Sequence, residues 1–427
     1  MTLSNIHSIA NKHILVDHFD VVYDIEKSHD NFIVDKITGK KYLDVFSFIA
    51  SNPIGHNHPK MFNAEFQEKL LRVARVNPSN SDILTQEYVD FLQTFFSIAV
   101  PNYFVDSFFI AGGTLAVENA LKTAFDWKYK KLLQRGIKVN YNDLKIVHFK
   151  NAFHGRSGYC LSLTNTADPR KYDLFPKFHK WPRFTAPAVH EKYTESEQYW
   201  RDHKFYNSML DDIERQGNEC AAIIIEPIQG EGGDNHFTKT FHQNLRKLAD
   251  EKEMLLIYDE VQTGVGLTGK MWAHQNYDVI PDIIAFGKKM QVCGILSGPR
   301  IREVENNVFV EKSRINSTWG GNLVDMIRAE QYLKIIQQDN LIENTTLRGE
   351  EILTGMKSLG LENVRGKGLM CAFDMPDSNS RDELIKRCLK NGLFILGCGT
   401  KSVRIRPSLT FSKDDVKLFL ELLSKNL

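Results

Sequence analysis

The sequence predicts an α/β fold, with a mostly parallel central sheet carrying helices on both faces and a smaller α+β domain beside it. Three observations predict this. Short β-rich runs alternate with helical patterns through the middle of the chain. Two of these runs are apolar and end in polar residues, Leu255-Leu256-Ile257-Tyr258-Asp259 and Ile283-Ile284-Ala285-Phe286-Gly287-Lys288. After about Asn322 the alternation gives way to a long helical run and then short strands.

In chain order, strand signals at Phe32–Asp35 and Lys41–Asp44 precede a loop at Asn52–Pro59. Candidate strands of the central sheet are Val105–Ile110, Lys145–Phe149, Ala221–Glu226, Met254–Asp259, Ile283–Phe286 and Ile295–Ser297. Helical stretches such as Leu115–Arg135 and Thr240–Lys252 separate them. One helical run, Leu323–Ser358, leads into strands around Cys371–Asp374, Leu393–Leu396 and Val403–Ile405, then a last helix, Lys413–Leu427. The expected organisation is a large domain over 66–322 and a small one assembled from 1–65 and 323–427.

With 427 residues, 42% of them hydrophobic, the chain is long enough for a large core. Its 54 basic and 53 acidic residues nearly cancel, so no global field favours nucleic acid or a membrane surface. The run Lys128-Tyr129-Lys130-Lys131 reads as a solvated helix face. The six cysteines include no C-x-x-C pair and are expected as reduced, buried thiols of a cytoplasmic protein. Met1–His7 shows no charged region leading into an apolar one, so no signal peptide is expected. No apolar run approaches the ~20 residues needed to span a bilayer. The histidines form no ligand cluster, and no metal is expected.

Asp259 and Lys288, each ending an apolar run at the edge of one sheet, suit pyridoxal phosphate. That cofactor needs a carboxylate to keep its ring nitrogen protonated and a lysine amine for its aldehyde. Glu260 competes with Asp259, but strand alternation sends the two to opposite faces. Lys289 competes with Lys288 and reads as a solvated or phosphate-side lysine. Gln262 lies where an amide reaches the ring's phenolic oxygen, or else is a loop amide in water. Gly112-Gly113-Thr114 is a glycine turn feeding a helix, with Thr114 as the N-cap and the helix start offered to phosphate. Phe153 offers a face for stacking and Arg156 a fork for a carboxylate. Glu226 and Glu231 lie in a glycine-rich loop, and Asn316-Ser317-Thr318-Trp319-Gly320-Gly321-Asn322 forms another. Val403-Arg404-Ile405-Arg406-Pro407 alternates, which puts both arginines on one strand face. Spacing alone assigns no role to these last segments.

Together these segments resemble the class-III (omega) aminotransferases, over essentially the whole chain. The resemblance implies the aspartate aminotransferase-like fold of PLP-dependent transferases, pyridoxal 5'-phosphate as cofactor, and a homodimer with shared active sites. Carried over by position, it makes Lys288 the cofactor lysine and Asp259 the ring-nitrogen partner. Gln262 matches the phenolic-oxygen contact, Phe153 the stacking ring and Gly113-Thr114 the phosphate turn. Thr318 matches a threonine that reaches the phosphate from the neighbouring subunit. Glu231 and Arg404 look like the family's gate, Arg156 like the distal-carboxylate arginine, and Asn316 like a substrate contact. Two departures, Gly112-Gly113-Thr114-Leu115 and Lys289-Met290-Gln291-Val292-Cys293-Gly294, look like the branch acting on the ε-amine of lysine with 2-oxoglutarate as acceptor. So do Asn151–Thr166 and Ile315–Asn322. Ornithine and 4-aminobutyrate are the alternative donors; an aminomutase, a decarboxylase or a non-catalytic binder are further alternatives.

Overall fold

The computed structural model describes residues 6–15, 17–178 and 181–427. Of the segment on which no signal peptide is expected, Met1–Asn5 lie outside the described residues. Strands β1 (Phe32–Val34) and β2 (Lys41–Asp44) come first. They are followed by β3 (Asp106–Ile110), β4 (Lys145–Phe149), β5 (Arg183–Phe184), β6 (Cys220–Ile225), β7 (Leu255–Asp259), β8 (Ile283–Phe286) and β9 (Cys293–Ser297). The last five are β10 (Glu362–Lys367), β11 (Met370–Asp374), β12 (Leu393–Phe394), β13 (Leu396–Cys398) and β14 (Ser402–Ile405).

Seven strands form the central sheet in the order β3-β9-β8-β7-β6-β4-β5. Strands β4 to β8 pair in parallel, and β9 is antiparallel to both β8 and β3. Strand β3 therefore runs with the parallel set. The carboxyl ends of β3, β4, β6, β7 and β8 all lie along one edge, where sheets of this class place their sites.

Strands β6, β7 and β8 are buried along their whole length. That accounts for their unbroken apolar sequences, since helices cover both faces of a parallel sheet. Alternation divides β7 between two cores. Leu256 and Tyr258 pack with Phe241 and Leu245 of the helix Lys239–Glu251. Leu255 and Ile257 pack with Val117 and Leu121 of the helix Gly113–Gln134. Asp259 continues the second parity and Glu260 the first, so the two carboxylates separate as strand geometry requires.

Two smaller sheets flank this one. Strand β12 pairs in parallel with β2, stitching a C-terminal segment to an N-terminal one. Strands β10-β11-β14-β13 form an antiparallel sheet.

Several expected elements are corrected. The run Leu323–Ser358 is two helices, Leu323–Gln338 and Leu341–Ser358, broken where Asn340 takes φ 51. Asn is among the few residues that enter the left-handed region readily. Leu393–Leu396 divides into β12 and β13, and the last helix stops at Ser424. The helix Glu195–Gln216, absent from the expected elements, opens on a Thr194/Glu197 capping box. Lys128 is not solvated: it is buried, with Nζ donating to the carbonyl of Glu253 at 2.7 Å.

Ser47, Phe48, Ile49 and Ala50 form a left-handed turn, with φ of 40, 52, 58 and 61. Such a backbone costs roughly 1–2 kcal/mol per non-glycine residue. Asp44 Oδ1 holds it by accepting from the amides of Phe46 (2.9 Å) and Ser47 (2.7 Å), and Ser47 Oγ donates to the Arg406 carbonyl.

Candidate active site

Each loop at the carboxyl edge of the central sheet delivers one part of the site. Asp259 is the last residue of β7, directly opposite Ala285 of β8. Its Oδ1 accepts from the amide of Val261 (3.1 Å) and its Oδ2 from His154 Nδ1 (2.8 Å). A carboxylate only accepts, so Nδ1 of His154 carries the proton. His154 is buried, and its amide donates to Thr164 Oγ1 at 3.0 Å. Its Nε2 has no partner among the described residues. Glu260 is fully spent on structure: its oxygens take the amides of Ala273 (2.9 Å) and His274 (2.8 Å), His274 Nδ1 (3.0 Å) and Thr263 Oγ1 (2.6 Å). Asp259 is the carboxylate left for chemistry.

Lys288 follows Gly287 at the end of β8 and itself takes φ 44. Burial lowers its amine to about 8, and Arg404 adds to the lowering, while Asp259, Glu226 and Glu231 oppose it. Lys289 is neither solvated nor on a phosphate side. It is 1% exposed and its Nζ donates to the carbonyl of Ala50 at 2.7 Å, tethering the left-handed turn. Burial holds that amine well below the ordinary lysine value, with Lys288 and Arg406 adding to the effect. A tight 3₁₀ turn runs over Lys288–Met290, and Lys289 is engaged by Ala50.

The helix Gly113–Gln134 begins two residues earlier than expected, and Thr114 is not its cap. Gly112 occupies that position, with φ 106 and no side-chain cap. The first-turn amides are thus left uncapped at the positive end of a 22-residue helix. The loop after β4 closes against this turn: a Cβ on Gly155, at φ 125, would lie 2.4 Å from Thr114 Oγ1. Phe153 is half-buried, and its amide donates to Glu226 Oε1 at 2.9 Å. Exposed Arg156 lies with its guanidinium carbon 5.8 Å from the Phe153 ring centre.

The loop after β6 supplies two carboxylates. Glu226 accepts from Phe153 and, through Oε2, from the amide of Gly230 (3.0 Å). Burial pushes it up to about 7; His154 opposes this and the charge of Asp259 adds to it. Glu231 Oε2 accepts from Arg404 Nη1 of β14 at 2.8 Å, and its other oxygen pairs with Lys171. Arg404 Nε is buried without a partner among the described residues. Gly232 is required here, because a Cβ would fall 1.8 Å from the carbonyl of Asn151. Arg406 is 2% exposed and pairs with Asp234; its Nε lies 3.5 Å from Gln262 Oε1. Gln262, Arg404, Arg406 and Ile49 line one crevice, so the alternating arginines do share a strand face.

Asn316 and Thr318 lie elsewhere within the chain. Both are exposed, in a loop held by Ser79 Oγ to the Thr318 carbonyl and Ser81 Oγ to the Ser317 carbonyl. Sequence reasoning missed His154 as the partner of Asp259 and Lys171 as the second partner of Glu231. The only available signal for His154 was its place beside Phe153; for Lys171 there was none.

These residues fit pyridoxal phosphate: an anionic acceptor, a lysine with a lowered pKa, uncapped helix amides and a flat ring share one edge of the sheet. Because Lys288 is reactive as the neutral amine, reconstitution of the apo chain with this cofactor should speed up with pH and level off above about 8. Below that value the rate should fall about tenfold per pH unit. A rate constant across the range would show that Lys288 is not the attacking group.

The family model of class-III aminotransferases matches residues 15–427. The L-lysine-epsilon aminotransferase of Mycobacterium tuberculosis is 42% identical, over 97% of this chain and 93% of its own. That of Amycolatopsis lactamdurans is 43% identical, over 97% and 94%. The solved structure of lysine aminotransferase from M. tuberculosis superposes with a TM-score of 0.97 at 42% identity, covering 100% of this chain and 99% of that one.

Proposed function

The chain belongs to the class-III aminotransferases, and we propose that it transfers the ε-amino group of L-lysine to 2-oxoglutarate, giving 2-aminoadipate 6-semialdehyde and L-glutamate. Enzymes of this family use pyridoxal phosphate, which when bound supplies an electron sink and carries the amino group from donor to acceptor. The full-length similarity to enzymes named for lysine supports the donor. The observation that carries the reading is the Glu231–Arg404 pair.

With the cofactor bound, Asp259, held in place by His154, would keep the ring nitrogen protonated. Phe153 would stack on the ring, Gln262 would meet its phenolic oxygen, and the amides at Gly113 and Thr114 would take the phosphate. Lys288, whose amine burial holds at about 8, would anchor the cofactor through its aldehyde and, when freed, would serve as the base and acid for the proton on the substrate's ε-carbon.

L-Lysine enters amine-first. Its only carboxylate then lies far from the reacting carbon, where Arg156 would hold it; Asn316, which lies elsewhere within the chain, would add a contact only from a second subunit. No anion sits beside the reacting carbon, and Arg404, whose side chain is 7% exposed, would be a costly lone charge without Glu231. L-Glutamate and 2-oxoglutarate bring a second carboxylate, which takes Arg404 in place of Glu231. The free Nε of Arg404 suits that carboxylate as well.

The same reading includes a homodimer in which Thr318 reaches the phosphate of the other subunit. In support, the Thr318 loop is hydrogen-bonded to the 79–81 segment, beside exposed Ile83 and Leu84 (69% each) and Val76 (68%). That is an apolar surface that a second copy would cover. Sedimentation as a monomer would refute this. A large cofactor-binding domain over 66–322, and a small one from 1–65 and 323–427, is part of the proposal, supported by the β2–β12 pairing. A cytoplasmic location fits the six unpaired, buried cysteines. No described helix is long and apolar enough to cross a membrane.

L-Lysine should bleach the absorbance of the bound cofactor at least about tenfold faster than ornithine or 4-aminobutyrate. Equal bleaching by ornithine would overturn the donor assignment. Glu231→Gln should slow the lysine half-reaction by about tenfold or more, and the glutamate half-reaction by less. Equal losses in single turnovers would remove the gate.

A further inference from the structure

We propose that Lys171 is the second station of the Glu231 gate, holding the glutamate carboxylate when an incoming substrate carboxylate takes Arg404. The inference rests on the gate reading above and adds to it a residue that makes opening possible.

Glu231 is bridged. One carboxylate oxygen pairs with Arg404 and the other with Lys171, so each oxygen has its own cation. Lys171 closes a short 3₁₀ turn, Pro169–Lys171, that Asp168 caps through the Arg170 amide. The turn belongs to the same β4–β5 connection that carries Phe153 and Arg156. The Lys171 side chain is only 18% exposed and that of Glu231 21%, so neither charge is freely solvated.

The main chain of Glu231 is fixed from both sides. Its carbonyl accepts the amide of Gly399 at 2.9 Å, and its neighbour Gly232 is pressed against Asn151. Opening is therefore a motion of the side chain alone. In a gate without Lys171, that motion would strand a half-buried carboxylate, which is the expensive way to break an ion pair. With Lys171 in place, the incoming carboxylate breaks one charge-assisted contact and leaves the other intact. Burial raises the Glu231 carboxyl, but Arg404 and Lys171 together outweigh it and hold the group below its ordinary value. In the closed position it is therefore an anion.

Lys171 thus favours the dicarboxylate half-reaction specifically. The amine-first donor is bound with the gate closed, where Arg404 already neutralises Glu231. Removing Lys171 should leave that arm nearly untouched and penalise the other.

The test uses full-length holoenzyme and two readouts. Lys171→Met should raise the KM for 2-oxoglutarate and weaken the binding of the unreactive dicarboxylate glutarate, measured by calorimetry, by about three- to tenfold each. The single-turnover constants for L-lysine should change by less than about twofold. Lys171→Arg should restore glutarate binding. In a Glu231→Gln background the lysine substitution should add no further loss, because it acts through Glu231. Equal losses in both half-reactions, or an undiminished penalty in the Glu231→Gln background, would overturn the inference. If Glu231→Gln alone fails to separate the half-reactions, the gate itself falls. If it separates them and Lys171→Met does not, only the role of Lys171 falls.

Discussion

The balance of buried charge around Lys288 is what the rest of this structure serves. A lysine amine loses its proton near neutrality when burial excludes water, and a second cation close by adds to that effect. Here burial and Arg404 do both. Arg404 in turn is tolerable in that place only because Glu231 answers it, and Glu231 is answered again by Lys171. Asp259 and Glu226 complete the set, with His154 against the first and backbone amides against the second. These residues come from the segments at the ends of β4, β6, β7 and β8 and from strand β14, and removing Glu231 would leave Arg404 buried and unpaired.

The backbone meets this requirement by topology. Parallel strands bring five carboxyl ends to one edge, and alternation then selects Asp259 over Glu260. The antiparallel sheet adds Arg404 from β14 and Arg406 just beyond it, and both line the same crevice as Gln262. The left-handed turn Ser47–Ala50 reaches the same crevice through Ile49. Lys289 holds the carbonyl end of that turn, and Asp44 its start. Lys289, the residue after Lys288, thus bears on the shape of the crevice lined by Arg404 and Arg406.

What was legible in the sequence follows from how local each signal is. Strand β7 and Asp259 were readable because an unbroken apolar run ending in a carboxylate is a local event. Lys288 was readable for the same reason, whereas its distinction from Lys289 turned on the engagement of Lys289 by Ala50, which no neighbouring residue announces. The His154–Asp259 bond joins positions 105 apart, and the Lys171–Glu231 pair joins positions 60 apart, through elements that pack only in the finished fold. The Gly112 cap was misjudged because Thr114 is the better cap by side chain, yet glycine alone fits φ 106 there. Ser-Phe-Ile-Ala holds no glycine or asparagine, so nothing in it foretold a left-handed turn. The helix break at Asn340 was overlooked, although asparagine is a known breaker.

The central claim, that an amine-first donor gives up its terminal nitrogen, is tested most directly by following that nitrogen. L-Lysine labelled with ¹⁵N at the ε position should pass its label to L-glutamate in the presence of 2-oxoglutarate, and L-lysine labelled at the α position should pass none. Label arriving from the α position would mean that the carboxylate beside the reacting carbon binds Arg404 during the lysine half-reaction, contradicting the role assigned to Glu231.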